Sequence, residues 1–374
     1  MPNTVAHQLI RSARVLTLAL GAAAGVACTA APSSAPGAAA DSEEAVPRFP
    51  AVRIAHIFAP PGESNVRSSF KLAEGQALIG TEETGDIYKT TDHGATWRKT
   101  IDTDERWEVS DVRNFIRAQD GSIYATTSEP ATILRSTDEG ETWDLLARPA
   151  GSRTVGLAQL DGGAILAGLR RSENNKITLV RSEDGFATHD TIVLSDDLPR
   201  QNVTCIHDLG GGVVLAGIGF QASGKVFRST DAGLTWTQTA EFPDARDLMN
   251  FFVADDRIYV MASGIATLYA SDDAGQTWSK AYQVWEKGFL GQAATLEHGG
   301  RSFRLLAASD QRVKPTRNLV LISDDNGTTW HEWIELAQDV SGGASNLAVI
   351  GDGTVVVGTG NHSVQGYVYT LTLH

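Results

Sequence analysis

Six aspartates recur along the sequence at intervals that could suggest a set of catalytic carboxylates. They lie 42 to 52 residues apart, at positions Asp92, Asp138, Asp184, Asp231, Asp273 and Asp325. Five stand in the pattern Ser/Thr-x-Asp-x-Gly-x-Thr-Trp, and the copy around Asp184 is degenerate. An aspartate in such a turn accepts hydrogen bonds from its own backbone, and glycine supplies a positive φ. We therefore predict that all six carboxylates are structural caps of Asp-box turns.

Arginines at the starts of strands are better candidates for binding chemistry. Arg67 and Arg113 open the first strands of two adjacent units of the repeat. A guanidinium in that position could bind a carboxylate with two parallel hydrogen bonds. The alternative is a structural salt bridge with Asp111 or Glu63, and the sequence favours this second interpretation.

Three loop segments carry further charged and aromatic side chains, at 102–108, 170–176 and 310–317. Their basic side chains could bind an anionic glycan or an acidic protein segment, or they could be solvated loop charge. An exposed indole could stack on a sugar or anchor a protein partner, or it could pack between blades. The candidate ligand-binding residues are Asp104, Arg106, Trp107, Arg170, Arg171, Trp285, Arg312 and Arg317.

The elements that must position these residues are short β-strands. Each box lies between two strand patterns, and the period of the boxes is near the span of one propeller blade. In the second unit the predicted strands are 112–118, 122–127, 132–135 and 142–147, and the fourth unit repeats them at 203–209, 213–218, 225–228 and 235–239. The last segment has only three strands, at 346–350, 354–358 and 367–373, and a lone strand at 52–58 precedes the first unit. We predict an all-β, seven-bladed β-propeller of four-stranded antiparallel blades, closed by the N-terminal strand.

The N-terminal residues do not fit the repeat. Arg11 and Arg14 precede an apolar run that ends at Cys28, the order of a secretory signal. The residues before Cys28 resemble a bacterial lipobox, which would make Cys28 an acylated first residue; the alternative is ordinary cleavage nearby. We predict a signal peptide at 1–28, a disordered Ala/Pro/Ser-rich linker at 29–48 and the propeller at 49–374. The predicted location is the outer membrane or periplasm as a lipoprotein, or otherwise the secreted fraction.

The composition excludes some classes of partner. A net charge of −14 argues against nucleic acid and against an anionic membrane surface. Membrane attachment is therefore expected only through Cys28. Cys205 reads as a small core residue, and the scattered histidines lack the clustered spacing of a metal site. We predict no metal, no cofactor and a monomeric protein.

The boxes resemble those of the BNR/Asp-box repeat β-propeller superfamily over residues 50 to 374. This superfamily includes sialidases, sortilin-type receptors, xyloglucan-active hydrolases and the photosystem II assembly factor. The resemblance implies the fold, but one fold hosts many activities. The sialidase catalytic set is missing: the nearest match to its Arg-Ile-Pro is Arg53-Ile54-Ala55, with alanine in place of proline. Sialidases also have six blades.

Two functional hypotheses follow from the sequence. The first, which we prefer, is an envelope scaffold that recognises a protein or a glycan through its loop face. The second is a carbohydrate-active hydrolase or lyase. A hydrolase needs two facing carboxylates, and the possible acids are Glu82, Glu83, Asp104 and Asp310.

Overall fold

The computed structural model describes residues 48–170, 176–196, 201–219, 223–336, 343–361 and 364–373. β-Strands dominate these ranges, with one short α-helix, α1 (Thr103–Trp107). None of the helices in the described ranges has the length and hydrophobicity needed to cross a bilayer.

Most strands fall into antiparallel units of four in which neighbours in sequence are neighbours in space. The first unit consists of β2 (Val66–Ala73), β3 (Gln76–Thr81), β4 (Asp86–Thr90) and β5 (Arg98–Asp102), and the second of β6 (Ser110–Arg117), β7 (Ile123–Ser128), β8 (Thr132–Ser136) and β9 (Asp144–Ala147). The third unit consists of β10 (Arg153–Gln159), β11 (Ile165–Arg170), β12 (Ile177–Ser182) and β13 (Asp190–Ser195). The fourth consists of β14 (Asn202–Gly210), β15 (Val213–Gly219), β16 (Gly224–Ser229) and β17 (Thr237–Phe242). The next two units are β18 (Asp247–Ala254), β19 (Arg257–Ser263), β20 (Thr267–Ser271) and β21 (Ser279–Gln283); β22 (Gly288–His298), β23 (Arg301–Asp310), β24 (Arg317–Ser323) and β25 (His331–Glu335). One bridge, between Arg153 and Ser128, links β10 to β7 and so joins two units into one eight-stranded sheet.

The last sheet combines strands from both ends of the described chain. It contains β26 (Gly343–Gly351), β27 (Thr354–Asn361), β28 (Val364–Leu373) and β1 (Val52–Phe58), in the order β1-β28-β27-β26. Val52 lies opposite Leu373, and Phe58 lies opposite Val368. The strand that precedes the first unit therefore supplies the outer edge of this sheet.

The residues just before β1 are fixed to the unit formed by β22 to β25. The Arg48 guanidinium binds Asp324, with 2.7 Å between Nη2 and Oδ1. Phe49 packs on His331 with 5.2 Å between the ring centroids. The Trp333 indole N–H donates to the Pro50 carbonyl at 2.9 Å. These contacts hold the chain at the Asp-box end of the unit, because Asp324 directly precedes the box aspartate.

The six Asp boxes share one hydrogen-bond pattern, described here for the box of Asp231. Its Oδ1 accepts from the Thr235 amide at 2.8 Å and from the Ser229 hydroxyl at 2.7 Å. Its Oδ2 accepts from the Thr235 hydroxyl at 2.6 Å, and the Gly233 amide donates to the Ser229 oxygen at 2.9 Å. The degenerate box of Asp184 keeps these bonds although Phe186 replaces the glycine. The carboxylates are therefore occupied in capping their own turns.

The boxes also join each unit to its neighbour. Lys89, Arg181 and Arg228 each directly precede the first residue of a box. Each donates to the carbonyl that follows the aspartate of the next box: Lys89 Nζ to Glu139 at 2.9 Å, and Arg228 Nε to Ala274 at 2.8 Å. The Arg181 bond to the next box is 3.0 Å. Apolar clusters between adjacent sheets complete the core.

One predicted loop contains a helix. The segment between the first two units, expected as a loop at 102–108, folds into α1. Asp102 caps its N-terminus by accepting from the Glu105 amide at 3.0 Å, and Glu108 ends it in the left-handed conformation. The Asp-x-x-Glu spacing is a helix-start signature.

Candidate functional site

A cavity of about 460 Å³ lies where the first strands of the units converge. Residues of β2, β6, β10, β14, β18, β22 and β26 line it, so every sheet contributes to its wall. We call it the central cavity. It lies near the start of these first strands. The Asp boxes follow the third strand of each unit, which runs in the same direction as the first, so the boxes lie at the opposite end.

Backbone irregularities aim side chains into the central cavity. The register of each first strand shifts at a similar point, where one or more residues are not paired with the second strand. The unpaired residues that line the central cavity include Arg67, Arg113, Val155, Thr204, Met249, Asn250, Gly291, Gln292 and Ser345. Such bulges re-aim side chains and are common beside functional sites.

Five described arginines line the central cavity, and four of them come from the first three units. The arginines that line it are Arg67, Arg113, Arg153, Arg170 and Arg246. Arg153 and Arg170 are direct cross-strand partners on β10 and β11. Among the described lining residues Asp247 is the one acid, and it lies 3.6 Å from Arg246.

Three carboxylates that are not among the lining residues hold three of the arginines. Asp111 Oδ2 lies 2.5 Å from Arg113 Nη2, and Asp111 Oδ1 lies 3.5 Å from Arg67 Nε. Arg67 also forms a close ion pair with Glu82. Arg153 donates to Glu129 Oε1 from Nη2 at 2.5 Å and from Nε at 3.0 Å. We call Arg67, Arg113, Arg153 and these three acids the arginine cluster.

Burial lowers the pKa of the Arg113 guanidinium from its usual value. Asp111 opposes this shift, while the nearby positive charges of Arg67 and Arg153 add to it. The repulsion among the three cations would be relieved by an anion bound on their open side. The arrangement can therefore bind an anionic group through charge-assisted hydrogen bonds.

The other residues that line the central cavity are mostly uncharged. They include Met249, Phe289, Gln292 and Cys205. The Cys205 thiol is buried, and burial raises its pKa to about 12. Cys205 is therefore a packed core residue, and its environment disfavours the thiolate form.

A second cavity of about 510 Å³ lies at the Asp-box end of the first strands. Phe70, Phe115 and His207 line it, and burial lowers the pKa of His207. Leu157 and Ile206 line both cavities, so these two apolar side chains lie between them.

The other predicted residues of the loop face lie outside the central cavity. Asp104 and Arg106 are exposed on α1, and Arg106 stacks over Trp107, which packs partly on the core. Arg312 binds Asp310 with 2.8 Å between Nη2 and Oδ2. Arg317 binds Glu332 and Glu335. None of these side chains joins the arginine cluster.

The structure decides between the alternatives that the sequence left open for these residues. Arg67 and Arg113 form the expected salt bridge with Asp111. Glu63, the other possible partner, accepts instead from the Glu83 and Thr84 amides, and desolvation raises its pKa. Trp285 is buried in the core beneath Arg312, so it is not an exposed platform for a sugar. Arg171 and Cys28 lie outside the described residues.

The central cavity therefore unites three predicted residues, Arg67, Arg113 and Arg170, with two that the sequence reasoning missed, Arg153 and Arg246. Arg153 opens the first strand of its unit just as Arg67 opens its own, so the same signal could have identified it. Within the described ranges, no group of three His, Cys, Asp or Glu side chains is arranged to hold a metal ion.

Comparison with known proteins identifies the family. The family described as DUF6242 beta propeller domain matches residues 78–283, which is more than half of the chain. The chain belongs to this β-propeller family. A BNR/Asp-box repeat also matches residues 321–332, around the last box. No curated protein matches the sequence.

Solved structures share the propeller fold at low sequence identity. YCF48 bound to D1 peptide matches with a TM-score of 0.58 and 15% identity, covering 85% of this chain and 95% of that one. An inactive virginiamycin B lyase from Staphylococcus aureus, solved with quinupristin, matches at 0.60 and 13%, covering 86% and 100%. The GH74 xyloglucanase from Xanthomonas campestris matches at 0.59 and 17%, covering 83% and 52%. These neighbours include a peptide-bound protein and enzymes, so they establish the fold alone.

Proposed function

We propose that this member of the DUF6242 β-propeller family is an exported scaffold that binds an acidic segment of a cell-envelope protein in its central cavity. The observation that carries the proposal is the arginine cluster, set on bulged strand starts at the rim of a 460 Å³ cavity. Five arginines and one acid of the described residues line this cavity, and such a local excess of positive charge on an otherwise acidic protein attracts anionic groups.

In this proposal the four-stranded units form one closed ring of seven blades, with β1 as the closing strand. The pairing of β1 with β28 supports closure. Residues 1–28 act as a signal peptide that leaves Cys28 lipidated, and 29–48 tether the monomeric propeller to the outer membrane or hold it in the periplasm. Mass spectrometry of the mature N-terminus tests this part: an acylated Cys28 supports it, and an unmodified N-terminus at a nearby alanine refutes it.

A protein partner fits the central cavity better than a glycan does. Carbohydrate sites commonly offer flat aromatic faces, and Phe289 is the one aromatic ring among the described lining residues. The propeller of YCF48 has been solved with a bound peptide, which is a precedent for protein binding on this fold.

The enzyme hypothesis has less support. Glycoside hydrolases of the two-carboxylate type need a pair of acids across the substrate. Of the four candidate acids, Glu82 pairs with Arg67, Asp310 pairs with Arg312 and Asp104 is exposed on α1. Glu83 accepts a hydrogen bond from the Ser64 hydroxyl at 2.5 Å. None of these four lines the central cavity.

Binding to an array of acidic, neutral and basic peptides tests the proposal. We expect the full chain to bind acidic peptides and Arg246→Glu to lose at least tenfold in affinity. Arg246 is exposed at the cavity rim, so its substitution leaves the core intact. Arg53→Glu is the matched control, because Arg53 is exposed on the outer strand β1.

Equal binding of acidic peptides by Arg246→Glu, Arg53→Glu and the unmodified protein would show that the central cavity is not the recognition surface. A parallel array of uronate-containing glycans separates the two classes of partner. Binding to those glycans without binding to acidic peptides would overturn the choice of a protein partner.

A further inference from the structure

Two side-chain amides of the central cavity occupy the same place in adjacent units. Asn250 follows Met249 in the bulge of β18, and Gln292 follows Gly291 in the bulge of β22. Each bulge places two residues opposite one on the second strand, and both amides line the cavity. Because β18 and β22 are in contact, these equivalent bulges place the two side chains on neighbouring parts of the cavity wall. We call Asn250 and Gln292 the amide pair.

The corresponding side chains of three other units bond to a neighbouring unit. Ser68 and Asn346 each donate to a carbonyl oxygen of the next first strand, at 2.9 Å and 2.7 Å, and Asn114 does so at 3.4 Å. The amide pair makes no such bond to the described residues: Gln292 has no side-chain hydrogen bond there, and Asn250 has one, in which Oδ1 accepts from the next backbone amide at 2.9 Å. Both side chains are half-buried, and their remaining donors and acceptors are accessible.

We propose that the amide pair binds the peptide backbone of the ligand, so that the central cavity recognises an extended acidic segment by its amide groups as well as by its charge. This inference rests on the proposed function, because it concerns the ligand of the same cavity. It assigns a role in binding to two lining residues that carry no charge.

A side-chain carboxamide has the same hydrogen-bonding groups as a peptide bond. Its oxygen accepts and its NH2 group donates, so it can pair with a backbone N–H, a backbone C=O or both. Gln292 offers its oxygen and its nitrogen, whereas Asn250 offers its NH2 group, since its oxygen accepts from its own backbone. A helical segment pairs its backbone groups internally. The ligand must therefore be extended where it meets the amide pair.

Desolvation of the ligand explains why its backbone needs such partners. A segment that enters a cavity of about 460 Å³ loses water from its N–H and C=O groups, and a buried backbone group without a partner costs about as much as a lost hydrogen bond. The arginines of the cavity supply donors only. Acceptors for the N–H groups of the ligand must come from other lining side chains, and the Gln292 oxygen is one of them.

Ligand-observed NMR titration of the full chain tests the inference with two capped pentapeptides, each with a central glutamate side chain between two pairs of glycines. The first has ordinary amides. In the second, ester oxygen replaces the backbone N–H of the three central residues, which removes these donors, weakens the carbonyl acceptors and keeps the charge. The variants are Gln292→Met and Asn250→Leu, which keep the approximate size of each side chain without its hydrogen-bonding groups. The matched control is Gln238→Met, at an exposed glutamine on the outer strand β17.

We expect the unmodified protein and Gln238→Met to bind the amide peptide at least fivefold more tightly than the ester, the effect of about one hydrogen bond. Gln292→Met should lower this ratio at least threefold by weakening the binding of the amide peptide, with less than a twofold change for the ester. Asn250→Leu should lower the ratio about twofold, because an ester carbonyl still accepts, although weakly, from an NH2 group. A purely structural role would reduce both affinities together and leave the ratio unchanged. Circular dichroism verifies the fold of each variant.

An unchanged ratio in a folded Gln292→Met or Asn250→Leu would overturn the inference and leave the proposed function standing. Equal binding of the two peptides by the unmodified protein would have the same consequence. Should one variant not fold, the ratio in the other decides. Binding of neither peptide to the unmodified protein would overturn the proposed function, and the inference with it.

Discussion

Removing one box carboxylate should destabilise the propeller without affecting its binding cavity. In Asp231→Ala, the turn loses four hydrogen bonds: from the Ser229 hydroxyl, the Leu234 amide, and both the amide and hydroxyl of Thr235. The donors lie in an exposed turn and regain water, so the net cost of each bond is about 1 kcal/mol or less. We expect the free energy of unfolding to fall by about 3 kcal/mol.

Differential scanning calorimetry measures this change. For a domain of this size, about 3 kcal/mol corresponds to a decrease in Tm of about 4 °C. The matched control is Asp272→Ala, which removes an exposed acid paired with Arg257, a contact typically worth less than about 1 kcal/mol. If Asp231→Ala melts within about 1 °C of Asp272→Ala, the carboxylate does not stabilise its turn as argued.

The same interaction has a defined pH dependence. The pKa of Asp231 is lowered to about 2; desolvation opposes this shift, but the hydrogen bonds from Thr235 and Ser229 outweigh it. A carboxylate with a depressed folded pKa stabilises the protein above its unfolded pKa of about 3.9 and loses that contribution as the pH falls toward 2. The difference in stability between Asp231→Ala and the unmodified protein should therefore shrink between pH 4 and pH 2. A difference that is constant over this range would refute the ionic origin of the effect.

Three further outcomes follow from buried contacts. In a Cys28→Ser background, Cys205 should resist iodoacetamide at pH 8 and react only after denaturation, because burial raises its pKa to about 12; rapid alkylation of the folded protein would contradict this. Lys89→Met should lower Tm by about 2 °C in calorimetry, because it breaks the bond to the next box, while Lys280→Met, at an exposed lysine, should leave Tm unchanged. Gly275→Ala should destabilise the protein by about 2 kcal/mol in urea unfolding, since φ is +80° and the new methyl would lie 2.5 Å from a leucine side chain; unchanged stability would disprove the close packing.

The strands can be predicted well from the sequence because each Asp box marks the end of a third strand and the start of a fourth. Strand β1 is predicted at 52–58 and observed at Val52–Phe58, and β27 begins at Thr354 as expected. The hydrogen bonds of each box are local, so the eight residues of the motif supply nearly all the contacts that form the turn. The DUF6242 match and the propeller neighbours agree with this fold class.

The site is harder to predict because it depends on contacts between distant residues. Nothing in the sequence places Glu82 against Arg67, or Trp285 beneath Arg312. The bulges that aim Arg67 and Arg113 into the central cavity are register shifts between strands, and a one-residue shift changes which face a side chain occupies. Hydrophobic alternation cannot show such shifts reliably.

The positions of the boxes and of the arginine cluster explain why the boxes carry little functional information. Both depend on the same strands, but the boxes lie at one end, and the arginines lie at the other. The box hydrogen bonds and the contacts from Lys89, Arg181 and Arg228 join neighbouring units at the box end. Substitutions at the cavity end therefore leave these joints unchanged. A stable propeller whose units are joined in this way can present different side chains at its opposite end, so the ligand must be inferred from the bulged residues and not from the repeat.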